Sequence, residues 1–452
     1  MKIRLIIVVW GEDFVRQWTK FSLSSLLSPK NIPAIRHSLE LDLWIPDIDF
    51  QQLKNTEEFI FLKKWVNINR IPLIQNSSNS YYLMNRCHQI SIQRANLQNE
   101  VIGILSPDAI ASDGLISEGI DKINSGYKAF LVNGPSARLE EVSKKLEKIK
   151  NGPVLKIKAK KLVLLWIKHM SELAKSHIVD KKLKILLSPS YFYFSNTSKS
   201  YLARQFHLHP LFVNPENKKV LPDGTFDLNY VEKSINNYKK IWINNNSDKG
   251  FYLELTTKRK KYGPAFLQQN FYEKVGDFIN RSTWSFNRLY VWENILIRAD
   301  NSKIKSKKVQ QADNFIKHLF AHAFQDQIYV DSAFFTKFLF KNIKNEKLKE
   351  IIVRITTNSK TKKILDKIFA TKTFLKLVSL INKLKLPKQA LNSIKNLFVF
   401  SGGSLPKYEI NKKQNNIFLY EHTDDLISFW KKNYKIIDLT KFKIVKVVRK
   451  SI

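Results

Sequence analysis

The 452-residue sequence contains a single cysteine, Cys87, and no long apolar run. One cysteine excludes an internal disulfide framework and is typical of a reducing compartment. We expect Cys87 to be a buried structural thiol, because burial is the norm for a free cysteine. No stretch reaches the ~18 apolar residues of a membrane-spanning helix, and lysines interrupt the longest candidate, Leu162–Met170. The apolar N-terminal run is short and lacks a small-residue cleavage site, so it predicts a first β-strand and not a signal peptide.

Several motifs that define large enzyme classes are also absent from the sequence. No G-x-x-x-x-G-K-[ST] phosphate loop occurs, and no G-x-G-x-x-G fingerprint follows a strand. The G-x-S-x-G nucleophile elbow and paired C-x-x-C motifs are missing as well. These absences argue against a P-loop NTPase, a nicotinamide-dependent dehydrogenase, an α/β-hydrolase and a zinc ribbon.

Acidic residues are few relative to basic ones: 39 Asp and Glu stand against 76 Lys and Arg, which gives a net charge of +37. Such a charge favours anionic partners, including sugar nucleotides and phospholipid surfaces. Nucleic-acid binding is the weaker alternative, because the aromatic residues lie within apolar periodic runs and not beside Lys/Arg clusters as stacking platforms. We therefore expect no nucleic-acid partner.

The order of predicted elements indicates an α/β fold. Over residues 1–150, strands alternate with helices, which predicts a mostly parallel sheet flanked by helices. Further along, Lys161–His177 and Lys308–Gln325 are predicted helices, and Ile185–Leu187 is a predicted strand. We expect three regions: a catalytic domain at 1–230, the remaining catalytic or acceptor region at 231–330, and a basic helical region with a tail at 331–452.

Residues 331–400 place Phe, Leu and Ile on one face of the predicted helices and Lys on the other. Basic amphipathic helices either pack onto a domain or lie on an anionic membrane surface. The second alternative would place the protein in the cytoplasm, peripherally bound to the inner face of the membrane.

The segment Val101–Asp113 (VIGILSPDAIASD) is the strongest site signal. An apolar strand ends at Ser-Pro and is followed by Asp108 and Asp113, where open α/β sheets bind ligands. A carboxylate there could hold Mg²⁺ or Mn²⁺. The alternative is that both acids only cap a turn and a helix. Asp47-Ile48-Asp49 matches D-x-D, but we interpret it as a helix start.

Two pairs of histidines have spacings that suit a site. His207 and His209 are two residues apart in an extended segment, so their rings share a face and could bind metal, donate to phosphate or perform acid–base chemistry. The alternative is a pair of strand residues bonded to backbone. His318 and His322 are four apart on a helix, yet no H-E-x-x-H motif is present. We interpret them as ordinary surface histidines.

Four blocks of the sequence resemble bacterial glycosyltransferase-like proteins of GT-A type over roughly residues 1–230. The blocks are Val8-Val9-Trp10-Gly11, Ser25–Pro33 (SLLSPKNIP), Ser106-Pro107-Asp108 through Gly114, and Phe206–Pro210 (FHLHP). The resemblance implies a Rossmann-like GT-A fold and a transferase that moves a sugar from a nucleotide-sugar donor to a cell-surface glycan or lipid-linked acceptor, as in polysaccharide biosynthesis. A GT-like scaffold without catalysis is the alternative.

The resemblance also implies site residues. Asp108, His207 and His209 are the expected catalytic residues, and Asp108 is the expected metal ligand. Expected donor-binding residues are Trp10, Gly11, Asp108, Asp113 and Arg138. One departure is that Asp108 is followed by Ala109-Ile110, so the second acid of D-x-D is missing. Metal dependence is therefore open, and without a cation the leaving diphosphate needs Arg138, His207 or His209 to neutralise it.

Overall fold

The computed structural model describes residues 1–323, except 36, 74–79, 181–189, 223, 258–274, 277 and 280–281, together with the backbone of 407–411, 416–420 and 443–447. The predicted amphipathic tract at 331–400 and the predicted strand at Ile185–Leu187 lie outside the described residues. The chain divides into two compact units. The first is Met1–Phe271 with Tyr290–Asp313, and the second is Tyr272–Leu289 with Asn314–Ile452.

The first unit is built around β-sheets. Its strands are β1 (Lys2–Val8), β2 (Ser38–Ile45), β3 (Asn67–Pro72), β4 (Val101–Ile104), β5 (Ala109–Ala111), β6 (Ala129–Val132), β7 (Ser136–Arg138), β8 (Tyr191–Thr197), β9 (Ser200–Gln205), β10 (His209–Val213), β11 (Ile241–Ile243), β12 (Tyr252–Thr256) and β13 (Ile295–Arg298). Seven of them form a central sheet in the order β11-β6-β10-β4-β1-β2-β3. Every strand of this sheet runs in the same direction except β10, which is antiparallel to β4 and β6. The prediction of a mostly parallel sheet is confirmed.

Two smaller sheets complete the strand pairing of this unit, in the orders β5-β12-β7 and β13-β9-β8. In the first, β12 is antiparallel to β5 and parallel to β7. The second is antiparallel throughout. The sheet that contains β12 matters for the site, because β5 directly follows the segment with Asp108.

Helices connect the strands. They are α1 (Glu12–Gln17), α2 (Ser24–Leu26), α3 (Asp47–Leu53), α4 (Glu57–Leu62), α5 (Ser80–Leu97), α6 (Leu115–Asn124), α7 (Leu139–Glu147), α8 (Ala159–Lys168), α9 (Glu172–Ser176), α10 (Tyr230–Ser234), α11 (Ser285–Tyr290) and α12 (Ser306–Ala323). A π-helical segment, Trp18–Leu23, joins α1 to α2, and short 3₁₀ turns occur at Ile32–Ala34, Tyr238–Lys240 and Ser247–Lys249.

The inner strands of the central sheet are buried on both faces, as parallel strands between helices usually are, whereas the edge strand β3 contains no buried residue. Six of the seven residues of β1 are buried. Helix α6 shows how a helix covers the sheet: Ile116, Ile120 and Ile123 recur at helical spacing and are buried. Each fully buried isoleucine stabilises the fold by roughly 1.5–3 kcal/mol. Cys87 is buried as predicted, and burial raises the pKa of its thiol to about 12.

The predicted single helix Lys161–His177 is wrong in one respect, because the chain forms two helices there, α8 and α9. Met170 makes an isolated antiparallel bridge to Ala137 of β7 between them. The Ser171 hydroxyl then accepts the Ala174 N–H at 3.1 Å and caps α9. The helical spacing of apolar residues continues through Lys161–His177, but the bridge at Met170 and the cap at Ser171 divide the segment into two helices.

In the second unit, the described C-terminal strands are β14 (Lys407–Asn411), β15 (Asn416–Tyr420) and β16 (Lys443–Val447). They form a three-stranded sheet in which β15 is antiparallel to β14 and parallel to β16. Among the helices that the structure describes, none has the length and apolar character needed to cross a membrane.

Candidate functional site

The site lies at one edge of the central sheet, where the parallel strands end. β4 ends at Ile104 and β6 at Val132. Because β10 is antiparallel to both, it begins at this edge, and its first residue, His209, pairs with Val132. Ligands of open α/β sheets bind outside the carboxyl ends of the strands. The topology therefore brings the start of β10 to the position where a ligand is expected.

A cavity of about 280 Å³ opens at this edge. Its lining includes Asp108, His207, His209, Asp227, Tyr252 and Glu254. The structure thus places the three residues expected to be catalytic in one cavity. No lysine or arginine is found among the described residues that line it, although the chain carries a net charge of +37.

The loop that carries Asp108 is held by hydrogen bonds from other segments. The Ser22 hydroxyl donates to the carbonyl oxygen of Pro107 at 2.7 Å. The carbonyl oxygen of Asp108 itself accepts the Leu255 N–H at 2.8 Å. On the other side, the Ser106 N–H donates to the hydroxyl oxygen of Tyr252 at 2.9 Å. These bonds give Asp108 a fixed position at the cavity wall.

His207 and His209 line the same cavity. The His209 ring is half-buried and donates from Nε2 to the carbonyl oxygen of Ile104 at 2.7 Å. It also packs against Phe226 and Tyr252, with ring centroids 5.2 Å away in each case. Burial lowers the pKa of His209, so its imidazole is neutral at neutral pH. Since a carbonyl can only accept, Nε2 carries the proton and Nδ1 is the acceptor nitrogen.

Glu254 and Asp227 are cavity residues that sequence reasoning missed. Glu254 lies on β12 and pairs with Ala109 of β5 on one side and Ser136 of β7 on the other. A signal existed in the sequence, because Glu254 interrupts an apolar strand between the buried Leu253 and Leu255. Asp227 follows Phe226 in a loop, where an acid has no distinguishing pattern.

The carboxylates of Asp108 and Glu254 act electrostatically on the phenol of Tyr252. Burial raises the pKa of Tyr252, and the charges of Asp108 and Glu254 raise it further. The phenol therefore stays protonated at neutral pH. It can donate its proton to a carboxylate or to a ligand hydroxyl while accepting the Ser106 N–H.

Trp10 and Gly11, expected to bind the donor, do not line the cavity. Gly11 has a φ of +84° at the start of α1, a conformation that favours glycine. Its N–H donates to Asp49 Oδ2 at 2.7 Å. Trp10 is half-buried next to it. The contact with Asp49 gives this conformation a structural role in joining the ends of β1 and β2.

Asp113 and Arg138 also lie outside the cavity lining. Asp113 Oδ1 accepts hydrogen bonds from the Ser28 hydroxyl at 2.5 Å and from the Lys30 N–H at 2.9 Å. Arg138 forms ion pairs with Glu141 and Glu172. Both residues therefore have structural partners, and their assignment to donor binding stays a prediction.

The remaining candidates have local contacts. In Asp47-Ile48-Asp49, Asp47 pairs with Arg70 and Asp49 accepts from Gly11, and both lie in the first turn of α3. His318 is exposed and donates from Nδ1 to the Asn314 carbonyl oxygen at 2.7 Å. The side chain of His322 lies outside the described residues.

A metal site built by the protein alone does not fit the residues around Asp108. Within the described part of the chain, no three His, Cys, Asp or Glu side chains come together in an arrangement that could hold an ion. Mg²⁺ sites of nucleotide-binding enzymes commonly use one or two carboxylates and complete their shell with substrate phosphates and water. Asp108 would therefore need ligands from the substrate.

Comparisons with known proteins give no family. No family model matches the chain, and no curated protein matches it. Among solved structures, the apo form of mouse xyloside xylosyltransferase 1 is similar over 33% of this chain and 59% of its own, at 11% identity and a TM-score of 0.22. S. aureus TarS is similar over 72% of this chain and 44% of its own, at 10% identity and a TM-score of 0.26.

A second TarS structure, of residues 1–349 in complex with UDP, is similar over 79% of this chain and 88% of its own, at 10% identity and a TM-score of 0.27. The chain thus spans 59% and 44% of the first two structures, less than two thirds of each. Scores this low leave the function to be inferred from the chain's own residues.

Proposed function

We propose that the chain is a glycosyltransferase that moves a sugar from a nucleotide-sugar donor to a glycan or lipid-linked acceptor. The observation that carries this proposal is the meeting of Asp108, His207 and His209 with Glu254 in one cavity at the carboxyl ends of parallel strands. This is the position at which open α/β sheets bind nucleotide ligands.

The chemistry of the cavity supports a sugar as its occupant. Carboxylates and the amide of Gln205 are suited to hydrogen bonds with hydroxyl groups. Tyr191 and Phe226 supply apolar wall for the C–H faces of a pyranose ring. At about 280 Å³, the cavity lies at the lower end of the roughly 300–1,000 Å³ of small-molecule sites. It therefore suits one sugar unit better than a complete nucleotide sugar.

In the proposed reaction, an acceptor hydroxyl oxygen bonds to the anomeric carbon while the bond from that carbon to the phosphate oxygen breaks. The nucleoside diphosphate leaves with the electron pair of the broken bond. An inverting transfer also needs a base for the acceptor proton. We assign this base to Glu254, because pairing of β12 on both edges holds it more rigidly than the loop that carries Asp227.

The two histidines receive different roles. Burial keeps His209 neutral, so its Nδ1 can accept a hydrogen bond from a substrate hydroxyl but supplies no positive charge. We assign the hydrogen bond to the leaving diphosphate to His207, since Arg138 is paired with Glu141 and Glu172. Asp108 binds the donor, through a hydroxyl group or through a divalent cation carried by the donor phosphates.

We further propose that the protein works in the cytoplasm at the inner face of the membrane. Its support is the basic amphipathic sequence of residues 331–400, which suits an anionic lipid surface. Vesicle co-sedimentation of the full chain and of a variant with lysines of this tract changed to glutamate would test it. Binding to anionic vesicles that does not depend on the tract would contradict it.

The test of the activity is release of nucleotide from a panel of UDP-, GDP-, dTDP- and CMP-sugars by the full chain, with and without Mg²⁺ or Mn²⁺. We expect saturable release from at least one donor, and its loss in an Asp108→Ala, His207→Ala double variant. Saturable donor binding without release would favour the inactive scaffold. If no donor binds or reacts, or the double variant is fully active, the proposal is wrong.

A further inference from the structure

The cavity wall contains a buried phenol that the described part of the chain uses only as an acceptor. Tyr252 lines the cavity and is 3% exposed. Its oxygen accepts the Ser106 N–H at 2.9 Å, and Ser106 is the one hydrogen-bond partner of this hydroxyl among the described residues. Burial raises the pKa of the phenol, whereas the contacts with Ser106 lower it, as donors to a phenol oxygen do. Ser106 therefore uses the oxygen of Tyr252 and leaves its hydrogen for another acceptor.

Three contacts hold the Tyr252 side chain in place. Its backbone pairs with Ala111 of β5. Its ring packs against the ring of His209, with centroids 5.2 Å apart and an angle of 34° between the planes. The bond from the Ser106 N–H then fixes the end of the side chain. The phenol is therefore preorganised, as a donor that acts in a transition state must be.

The position of the phenol relates it to both sides of the proposed transfer. Its bond to Ser106 places it next to the loop that carries Asp108, the proposed donor-binding residue. Glu254, the proposed base, lies two residues further along β12. Residues two apart on a strand share a face and are about 6.7 Å apart. An in-line transfer needs the leaving oxygen and the base on opposite sides of the anomeric carbon, and this span leaves room for that carbon.

The leaving diphosphate needs hydrogen-bond donors in this cavity. None of the described residues that line it is a lysine or an arginine, and burial keeps His209 neutral. The proposed mechanism takes one donor from His207. A protonated phenol is a second donor, and preorganised donors aimed at a developing negative charge contribute strongly to catalysis.

We propose that Tyr252 is a further catalytic residue, whose phenol donates a hydrogen bond to the β-phosphate oxygen that leaves the anomeric carbon. The inference rests on the proposed transferase function and specifies its leaving group as a nucleoside diphosphate. As the bond from the anomeric carbon to this oxygen breaks, the electron pair stays on the oxygen and the hydrogen bond strengthens. The proton remains on the phenol, so the diphosphate leaves as an anion.

The contact is tested by calorimetry of the full chain with UDP, GDP and dTDP and with the corresponding monophosphates. A diphosphate keeps the leaving oxygen, whereas a monophosphate lacks it. Tyr252→Phe removes the hydroxyl. Tyr252→3-fluorotyrosine keeps the oxygen that accepts the Ser106 N–H and makes the phenol a stronger donor. Tyr230→Phe is the matched control, because Tyr230 is a buried tyrosine that is not among the described residues lining the cavity.

We expect Tyr252→Phe to bind the preferred diphosphate at least about tenfold more weakly than wild type, the usual effect of losing a hydrogen bond to a charged group. Binding of the monophosphate should be unchanged. The kcat for nucleotide release should fall about 100-fold, as on removal of one oxyanion donor. The 3-fluorotyrosine variant should bind the diphosphate more tightly than wild type, since a more acidic phenol is a stronger donor. Tyr230→Phe should match wild type in all three measurements.

An equal loss of diphosphate and monophosphate binding in Tyr252→Phe would overturn the contact, by assigning the phenol to the nucleoside or to the position of the loop. A wild type that binds no diphosphate more tightly than its monophosphate would overturn it too. Thermal melting shows whether each variant is folded. If Tyr252→Phe is not, the 3-fluorotyrosine variant decides, and diphosphate binding no tighter than that of wild type contradicts the donor role.

Binding and turnover separate this inference from the transferase proposal. If diphosphate binding depends on Tyr252 while no nucleotide sugar reacts, the phosphate contact stands and the transferase proposal fails. If nucleotide sugars react equally fast in wild type and in a folded Tyr252→Phe variant, the transferase proposal stands and the catalytic role of Tyr252 fails.

Discussion

The His209 imidazole donates from Nε2 to the carbonyl oxygen of Ile104 at 2.7 Å. This bond joins the first residue of β10 to the last residue of β4, the strand that leads to Asp108. The same bond fixes which nitrogen of His209 carries the proton. One contact thus positions the histidine, sets its tautomer and places it beside the acid-bearing loop, which is what a preorganised site requires.

Asp108 and Asp113 are five residues apart and have different surroundings, so the same substitution should have different effects. Asp108→Ala removes a cavity carboxylate, and we expect kcat/KM for donor turnover to fall about 10- to 100-fold, the usual effect of losing a hydrogen bond to a charged group. Asp113→Ala leaves the Ser28 hydroxyl and the Lys30 N–H without their acceptor. We expect it to lower the free energy of unfolding by about 1–3 kcal/mol with little change in turnover.

Steady-state kinetics and urea unfolding of both variants measure this contrast. The assignment of Asp108 fails if the Asp113 variant, when folded, loses more activity than the Asp108 variant.

Glu254→Gln tests the proposed base while keeping the size of the side chain. We expect kcat for transfer to fall about 10²- to 10⁴-fold, the range for removing a general base, with donor affinity within about threefold of wild type. Asp227→Asn serves as the matched control, because it neutralises another carboxylate of the same cavity. A larger loss of kcat in the Asp227 variant would move the role of base to that residue.

Buried neutral histidines predict that acid destabilises the protein. Burial lowers the pKa of His88 to about 3 and that of His177 to about 4, whereas both have pKa values near 6.5 when unfolded. Below pH 6.5 the unfolded chain binds protons that the folded chain excludes. The stabilisation is therefore complete above about pH 6.5 and decreases as the pH falls towards the folded values.

We expect the free energy of unfolding to fall by about 1.4 kcal/mol per pH unit for each of these histidines between pH 6 and pH 4.5. Urea unfolding at several pH values measures the slope. His88→Leu should reduce this slope by the contribution of one histidine, about 1.4 kcal/mol per pH unit. An equal slope in wild type and in the His88 variant would show that His88 is not held neutral.

Local patterns predicted the elements well where the period was regular. The predicted alternation of strands and helices over residues 1–150 is observed, for example in α6 (Leu115–Asn124) and β6 (Ala129–Val132), because apolar spacing and flanking glycines define these elements. Asp108, His207 and His209 could be selected as candidates because Asp108 lies between β4 and β5, His207 lies between β9 and β10, and His209 begins β10. Glu254 could not be placed, since its position depends on the pairing of β12 with β5, a contact between segments far apart in the sequence.

The same dependence on long-range contacts explains why Trp10, Gly11 and Arg138 lie outside the cavity lining, although the sequence suggested them as donor-binding residues. Each follows or ends a strand, as a ligand-binding residue would. Asp49, in the first turn of α3, accepts a hydrogen bond from the Gly11 N–H. Glu172 of α9 forms an ion pair with Arg138. Residue type and strand position therefore indicate which side chains reach the sheet edge, but not which of them another segment has already bound.

Gly119 links the stability of the fold to the position of β10. A Cβ atom at Gly119 would lie 2.7 Å from Cδ2 of Phe212 in β10 and 2.9 Å from Cδ1 of Phe130 in β6. Overpacking of this kind costs about 1–3 kcal/mol, while alanine in place of glycine gains only about 1 kcal/mol in a helix. We expect Gly119→Ala to lower the free energy of unfolding and, by displacing Phe212, to reduce turnover through His209 on the same strand.

Gly134→Ala is the matched control for stability, because the nearest heavy atom to its new Cβ is Cδ1 of Tyr252 at 3.9 Å, an ordinary contact. Urea unfolding of the two variants should show a loss for Gly119→Ala and little change for Gly134→Ala. A Gly119 variant as stable as wild type would mean that Phe212 and Phe130 move aside at no cost in free energy. The packing of α6 against β10 and β6 would then be looser than these short distances indicate.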